Sequence, residues 1–265
     1  MTLLQAIILG LVQGIAQFLP ISSAAHMRTL PALLGWPDPG IPYPLVIQLG
    51  AAAAGLVYFG IYLLRPAAGT ASRPARARLA WCVGVATVPV AVLGALVKKS
   101  IDVNLQSPWV MSCALIVLAF VMFAVERAAA KRRALDDVGF KDALWVGLWQ
   151  AVALLPGWSR SGSSITGGLL RGFTREDAAR FSIFLSVPAS FLAGASAIKQ
   201  LMEASEPPSL LLIAAGTGAS FASGLGAIAF LLWVARTRTF VGFVVYGAAM
   251  GVSIVALHLM GSLQP

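Results

Sequence analysis

The chain has 265 residues, of which 58% are hydrophobic and only 11% charged, with a mean hydropathy of +0.85 and a formal net charge of +9. A soluble domain carries roughly 25% charged residues, so this composition excludes one and defines an integral membrane protein. The positive charge does not describe a nucleic-acid surface, because no basic face with interleaved aromatics occurs and the basic residues gather between apolar runs.

Backbone groups cannot stay unpaired in hydrocarbon, so spans are helices or a closed barrel. Apolar runs of about 20 residues without strict alternation select helices. Taken in chain order, Leu3–Gly35 is apolar but broken at "LPISS". Pro44–Leu64, Ala80–Val97 and Trp109–Val125 are each long enough to cross. Ala143–Leu170 is apolar but broken at "LPGWSRSG", and Phe181–Ile198, Ser209–Val234 and Phe240–Met260 are again long enough. Cys82 and Cys113 fall inside predicted spans, where a thiol acts as a small apolar group, so no disulfide is expected. The first basic residue is Arg28, and the positive start of a signal peptide is missing.

The basic residues orient these segments. Fourteen of the nineteen Lys and Arg lie in four stretches: Arg65, Arg73, Arg76 and Arg78; Arg127, Lys131, Arg132, Arg133 and Lys141; Arg171, Arg175 and Arg180; Arg236 and Arg238. For these to share the cytoplasmic side, residues 143–170 must enter and leave on one face, as a re-entrant hairpin. If residues 3–36 form a second hairpin opening to the opposite face, both termini lie outside. The expectation is an all-α polytopic protein of six transmembrane helices plus two re-entrant helical hairpins. It forms one membrane domain of two inverted repeats, 1–142 and 143–265, a plan in which broken helices meet near the midplane to form a site.

The broken segments carry the polar chemistry. In "LLPGWSRSGSSITGG", Leu154–Gly168, Pro156 and Gly157 end a helix, and Gly162 belongs to a set of glycines that lets backbone approach a ligand. A helix beginning after those glycines would present free N–H groups. Ser159, Ser161 and Ser164 add hydroxyls around Arg160. A cation at membrane depth usually faces a cavity or a partner, and no Asp or Glu falls within any predicted span or hairpin, so a ligand anion is the expected partner. In "GIAQFLPISSAAHM", Gly14–Met27, Pro20 breaks the helix, and Ser22, Ser23 and His26 follow it. Ser22 and His26 share a helical face, as do Gln13 and Gln17. A serine beside a histidine can act as nucleophile and base, or both can hold a phosphate.

With "FLPISSAAH", "PGWSRSGSSITGGLLRGFTREDAARFS", "VIQLGA" (Val46–Ala51) and "FSIFLSVPA" (Phe181–Ala189) in hand, the chain resembles the undecaprenyl-diphosphatase family over nearly its whole length. The resemblance implies hydrolysis of the C55 isoprenoid lipid diphosphate to its monophosphate at the outer side of the bacterial cytoplasmic membrane. It further implies recycling of the carrier for cell-wall synthesis, bacitracin resistance and a homodimer. Carried over by motif, the catalytic residues are Ser23, His26 and Arg160. Gln13, Gln17, Ser22, Ser159, Ser161, Gly162 and Ser164 bind substrate. The family pattern has glutamates where this chain has Gln13 and Gln17, and those carboxylates would serve a divalent cation, Mg²⁺ or Ca²⁺. Gln keeps an acceptor oxygen but neither charge nor proton. Three readings follow: a homologue that binds or translocates a polyprenyl phosphate or other anion without hydrolysis, a slow hydrolase working through Ser, His and Arg, or a chain disarmed by isosteric substitution.

Overall fold

A computed structural model describes residues 1–64, 73–97, 107–203, 207–261 and 263. The expected connector residues Arg65, Lys98 and Lys99 lie outside them. The described chain is helical, with a single isolated β-bridge between Arg133 and Phe173. The helices are α1 (Leu3–Phe18), α2 (Ser23–Leu34), α3 (Pro42–Leu64), α4 (Arg73–Val97), α5 (Pro108–Ala128), α6 (Phe140–Ala151), α7 (Arg160–Leu170), α8 (Arg175–Met202), α9 (Leu210–Thr237) and α10 (Val241–Leu259). Two short helices followed by three long ones thus occur twice. The six long helices, α3–α5 and α8–α10, are apolar and long enough to span a bilayer, which makes this an all-α, multi-pass membrane protein.

Two helices start earlier than the apolar runs suggested. α8 begins at Arg175 instead of Phe181 because Thr174 caps it: its hydroxyl accepts the backbone N–H of Asp177 at 3.1 Å, and Glu176 and Asp177 sit in the positive first turn. α4 begins at Arg73, so a basic turn extends the helix beyond its hydrophobic stretch. At the other end of its span, Glu126 lies inside α5 and not in a connector. It is buried, accepting Arg175 Nε at 2.5 Å and the Phe240 backbone N–H at 3.0 Å.

Close helix packing sets the architecture around α9. An added Cβ at Gly10 would lie 2.2 Å from the Gly216 carbonyl oxygen, and one at Gly50 would lie 2.0 Å from that of Thr217. The small residues of Gly216–Ala227 therefore seat α1 and α3 within the same chain. The base of the α6–α7 segment is tied by charge. Asp142, in the first turn of α6, accepts both terminal nitrogens of Arg133 at 2.7 and 3.0 Å and Nε of Arg171, just beyond α7, at 2.6 Å. Both ends of the segment are thereby held together, making it a helical hairpin.

Candidate active site where two broken helices meet

The first break follows from Pro20. The residue before a proline is driven out of the helical region, and Leu19, at φ −72°, ψ 143°, ends α1. A tight turn closes from the Ile21 N–H to the Leu19 carbonyl at 2.8 Å. Ser22 then takes φ +64°, a left-handed value that a non-glycine residue adopts at a cost. From there its hydroxyl caps α2 through the Ala25 N–H at 3.4 Å. That strained residue is the hinge that turns α2 away from α1.

The second break is built from Pro156 and Gly157. Gly157 has φ +86°, and a Cβ there would sit 2.4 Å from the Met111 carbonyl oxygen, so only glycine fits. Ser159 caps α7 by accepting the Gly162 N–H at 3.2 Å. α7 therefore starts at Arg160, before the glycines, where a start after them was expected. The glycines serve packing: Cβ atoms at Gly167 and Gly168 would meet Trp149 and Ala178 at 3.0 Å. The Gly162 N–H is consumed by the cap.

The two breaks touch. Ser161 donates its hydroxyl to the Leu19 carbonyl at 2.7 Å and lies 3.2 Å from the Ser159 hydroxyl. Ser164 reaches Ser182 of α8 at 2.7 Å and its own turn through the Arg160 carbonyl at 2.9 Å. Arg160 points along the same face of α8, with Nη1 donating to the Ser186 carbonyl at 3.1 Å and the Ser190 hydroxyl at 2.7 Å. The Ser190 oxygen also accepts Gln17 Nε2 at 2.6 Å, and Gln17 Oε1 accepts Gln13 Nε2 at 3.1 Å. A single chain of hydrogen bonds thus runs Gln13–Gln17–Ser190–Arg160 across α1, α8 and α7. Sequence reasoning did not single out Ser186 or Ser190.

Arg160 sits deep among these helices yet keeps partial exposure. Among the described residues it has no carboxylate partner, and its Nε and Nη2 make no hydrogen bond. A guanidinium held on one edge and open on the other suits a phosphate oxygen pair.

His26 takes a different direction. Nδ1 lies 2.8 Å from the Ser22 carbonyl, which can only accept, so Nδ1 carries the proton. Nε2 is then left to accept from the Tyr246 hydroxyl of α10 at 2.6 Å, with the two rings stacked at 5.6 Å. Ser23, half-buried in the first turn of α2, has no side-chain hydrogen bond among the described residues. The structure therefore brings Gln13, Gln17, Ser159, Arg160, Ser161 and Ser164 into one network. Ser22, Ser23 and His26 follow the Leu19–Ser22 turn in the chain and make no hydrogen bond to that network among the described residues.

The residues present do not fit a resident divalent cation well. The oxygens beside Arg160 come from amides and hydroxyls. Among the described residues no group of three or more His, Cys, Asp or Glu assembles anywhere. Gln13 Oε1 is buried without a hydrogen-bond partner, but one amide oxygen beside a guanidinium is a poor substitute for the carboxylates such ions take.

Six spans with two broken helices meeting at an arginine and a row of serines define a class: a polytopic α-helical membrane protein with a polar cluster enclosed between helix ends. Within that class the chain belongs to the bacitracin resistance protein BacA family, matching it over residues 6–253. It is 50% identical over 273 residues to an undecaprenyl-diphosphatase of Myxococcus xanthus (strain DK1622), covering all of this chain and 92% of that relative. Undecaprenyl-diphosphatases of Chloroherpeton thalassium (strain ATCC 35110 / GB-78), at 41% identity, and Chlorobium luteolum (strain DSM 273 / BCRC 81028 / 2530), at 39%, are also similar. They cover all of this chain and 99% and 100% of the relatives, respectively.

Proposed function

We propose that the chain hydrolyses undecaprenyl diphosphate to undecaprenyl phosphate and inorganic phosphate, returning the lipid carrier to cell-wall synthesis. Membership of the BacA family and relatives that carry the name undecaprenyl-diphosphatase support this reading. The observation that carries it is the half-engaged guanidinium of Arg160, a largely buried cation with two unpartnered nitrogens and no carboxylate among the described residues.

In this account the diphosphate lies against the open edge of Arg160, and Ser190 and Gln17 fix the other edge so that little reorganisation is needed as charge develops. Attack at the terminal phosphorus breaks the P–O–P bridge, and Arg160 neutralises charge on the departing lipid phosphate. Ser159 and Ser161 position the headgroup. Ser23, whose hydroxyl makes no hydrogen bond among the described residues, and His26, three residues on along the same helical face, supply the nucleophile and the proton acceptor, His26 Nε2 taking the proton once the Tyr246 hydroxyl releases it. Either a water oriented by the serine delivers the attacking oxygen directly, or the serine takes the phosphoryl group and a water then hydrolyses the phosphoserine, releasing inorganic phosphate. No step passes through a metal, since Gln13 and Gln17 offer no carboxylate for one.

The hairpins are read as re-entrant in opposite senses, giving two inverted repeats with the site open to the extracytoplasmic side and both termini outside. The clustering of fourteen basic residues and the Asp142–Arg171 tie support that orientation. The test is phosphate release from undecaprenyl diphosphate by the purified protein, with and without Mg²⁺. Release that persists in chelator is expected. Saturable lipid binding with no release would replace hydrolysis by binding or translocation.

A further inference from the structure

Away from Arg160, a second cleft opens on the side of the molecule. α10 lies along α5 and not along α9, which leaves a lateral cleft of about 1010 Å³ between α1, α9 and α10. Its walls are mostly apolar: Ile15 and Leu19 at the end of α1 face Phe230 and Phe243, whose rings meet edge to face at 6.2 Å, with Tyr246, the partner of His26, beside them. Ile15 and Phe230 are exposed. One end is cationic, with Arg175, Arg236 and Arg238 all lining it. Arg175 is engaged by Glu126 at 2.5 Å and Arg236 by Glu176 at 2.8 Å, whereas Arg238 makes no ion pair among the described residues. The start of α10 opens onto the same end at Gly242, with its Phe240 N–H already taken by Glu126 at 3.0 Å, so the arginines alone make this end cationic.

A greasy slot closed at one end by arginines matches the chemistry of an anionic amphiphile. We propose that this cleft is a binding site for one anionic glycerophospholipid of the bilayer, with the phosphate against Arg236 and Arg238 and an acyl chain along Ile15, Phe230 and Phe243. Basic pockets between transmembrane helices recognise headgroups in this way, and the lateral opening lets the chain enter from the membrane. The volume is on the scale of clefts that enclose small ligands. The inner end is backed by Leu19, whose carbonyl accepts Ser161. The lipid therefore braces the Leu19–Ser22 turn between α1 and α2, beside Tyr246 and without touching Arg160. The inference does not depend on the hydrolytic reading.

The test is native mass spectrometry of the full chain in detergent, with dioleoyl phosphatidylglycerol and dioleoyl phosphatidylcholine supplied at equal concentration. Retention of one phosphatidylglycerol in preference to phosphatidylcholine is expected, reduced at least tenfold by Arg238→Glu and unaffected by Lys199→Glu, an exposed pair member that does not line the cleft. Gly242→Trp should abolish retention by filling the slot, since a Cβ at Gly242 meets nothing within 4 Å. Should that variant not fold, Arg238→Glu decides alone, because its side chain has no ion-pair partner among the described residues to lose. Equal retention of the two lipids, undiminished retention in Arg238→Glu, or retention of undecaprenyl phosphate in place of phosphatidylglycerol would overturn the proposal.

Discussion

Arg160 and Ser190, thirty residues apart, are joined by a 2.7 Å hydrogen bond from Nη1 to a hydroxyl that also receives Gln17. This contact aims the guanidinium. Ser190→Ala removes the aiming bond and leaves the charge, a loss of about 1 kcal/mol. Phosphate release should fall roughly five- to tenfold with the fold intact. An unchanged rate in steady-state assays would show that Ser190 does not position Arg160.

Gln13 and Gln17 stand where the resemblance places glutamates. Replacing both, Gln13→Glu with Gln17→Glu, sets carboxylates beside Arg160 and beside any divalent cation. Hydrolysis should become Mg²⁺-dependent and rise by about tenfold or more, the scale on which ligand-shell changes act. The measurement is phosphate release against Mg²⁺ concentration. A flat response would mean that the pair does not govern metal use.

The Asp142 carboxyl shows a pH-dependent contribution to the fold. Burial pushes its pKa up, but hydrogen bonds from Arg133 and Arg171 outweigh that and hold it down to about 2, against an ordinary 3.8. A depressed carboxyl stabilises the folded state above its unfolded pKa and loses that contribution as pH falls through the folded one. Asp142→Asn should therefore cost roughly 1–2 kcal/mol at pH 7, discounted because both arginines are partly exposed. The difference from wild type should shrink between pH 4 and 2. Thermal midpoints across that range check it, and a pH-independent difference would contradict it.

Gly50 crosses α9 so closely that backbone meets backbone. Gly50→Ala forces a methyl to within 2.0 Å of the Thr217 carbonyl oxygen unless the helices separate, whereas Gly84→Ala meets nothing within 4 Å. The first should cost about 1–3 kcal/mol, as overpacking does, and the second should be close to neutral. Equal thermal midpoints for the two would mean that the α3–α9 crossing is not as tight as described.

Much of this arrangement was legible beforehand. The six spans stood out because each is a near-continuous apolar run, and the breaks stood out because Pro20 and Pro156 come with serine and glycine clusters, whereas Pro31, Pro89 and Pro188 lie inside α2, α4 and α8. Helix starts were less legible: Thr174 with Asp177 is a local cap signal, but it lies outside the hydrophobic stretch of α8. Ser186 and Ser190 were hidden for a physical reason, since a serine in a span ordinarily bonds its own backbone, as Ser186 does through the Ile183 carbonyl. The recurrence of Ser182, Ser186 and Ser190 every four residues was the available sign of a polar face on α8. The Tyr246–His26 pair joins residues 220 apart with no pattern between them, so only the folded chain reveals it.

The most direct measurement is turnover of undecaprenyl diphosphate by wild type, Arg160→Ala and Arg160→Lys, each checked for an unchanged thermal midpoint. If the open edge of this guanidinium receives the diphosphate, Arg160→Ala loses about 10²–10³-fold in phosphate release. Arg160→Lys recovers only part of it, because a point charge cannot reproduce the fork. Full activity in Arg160→Ala would contradict the account.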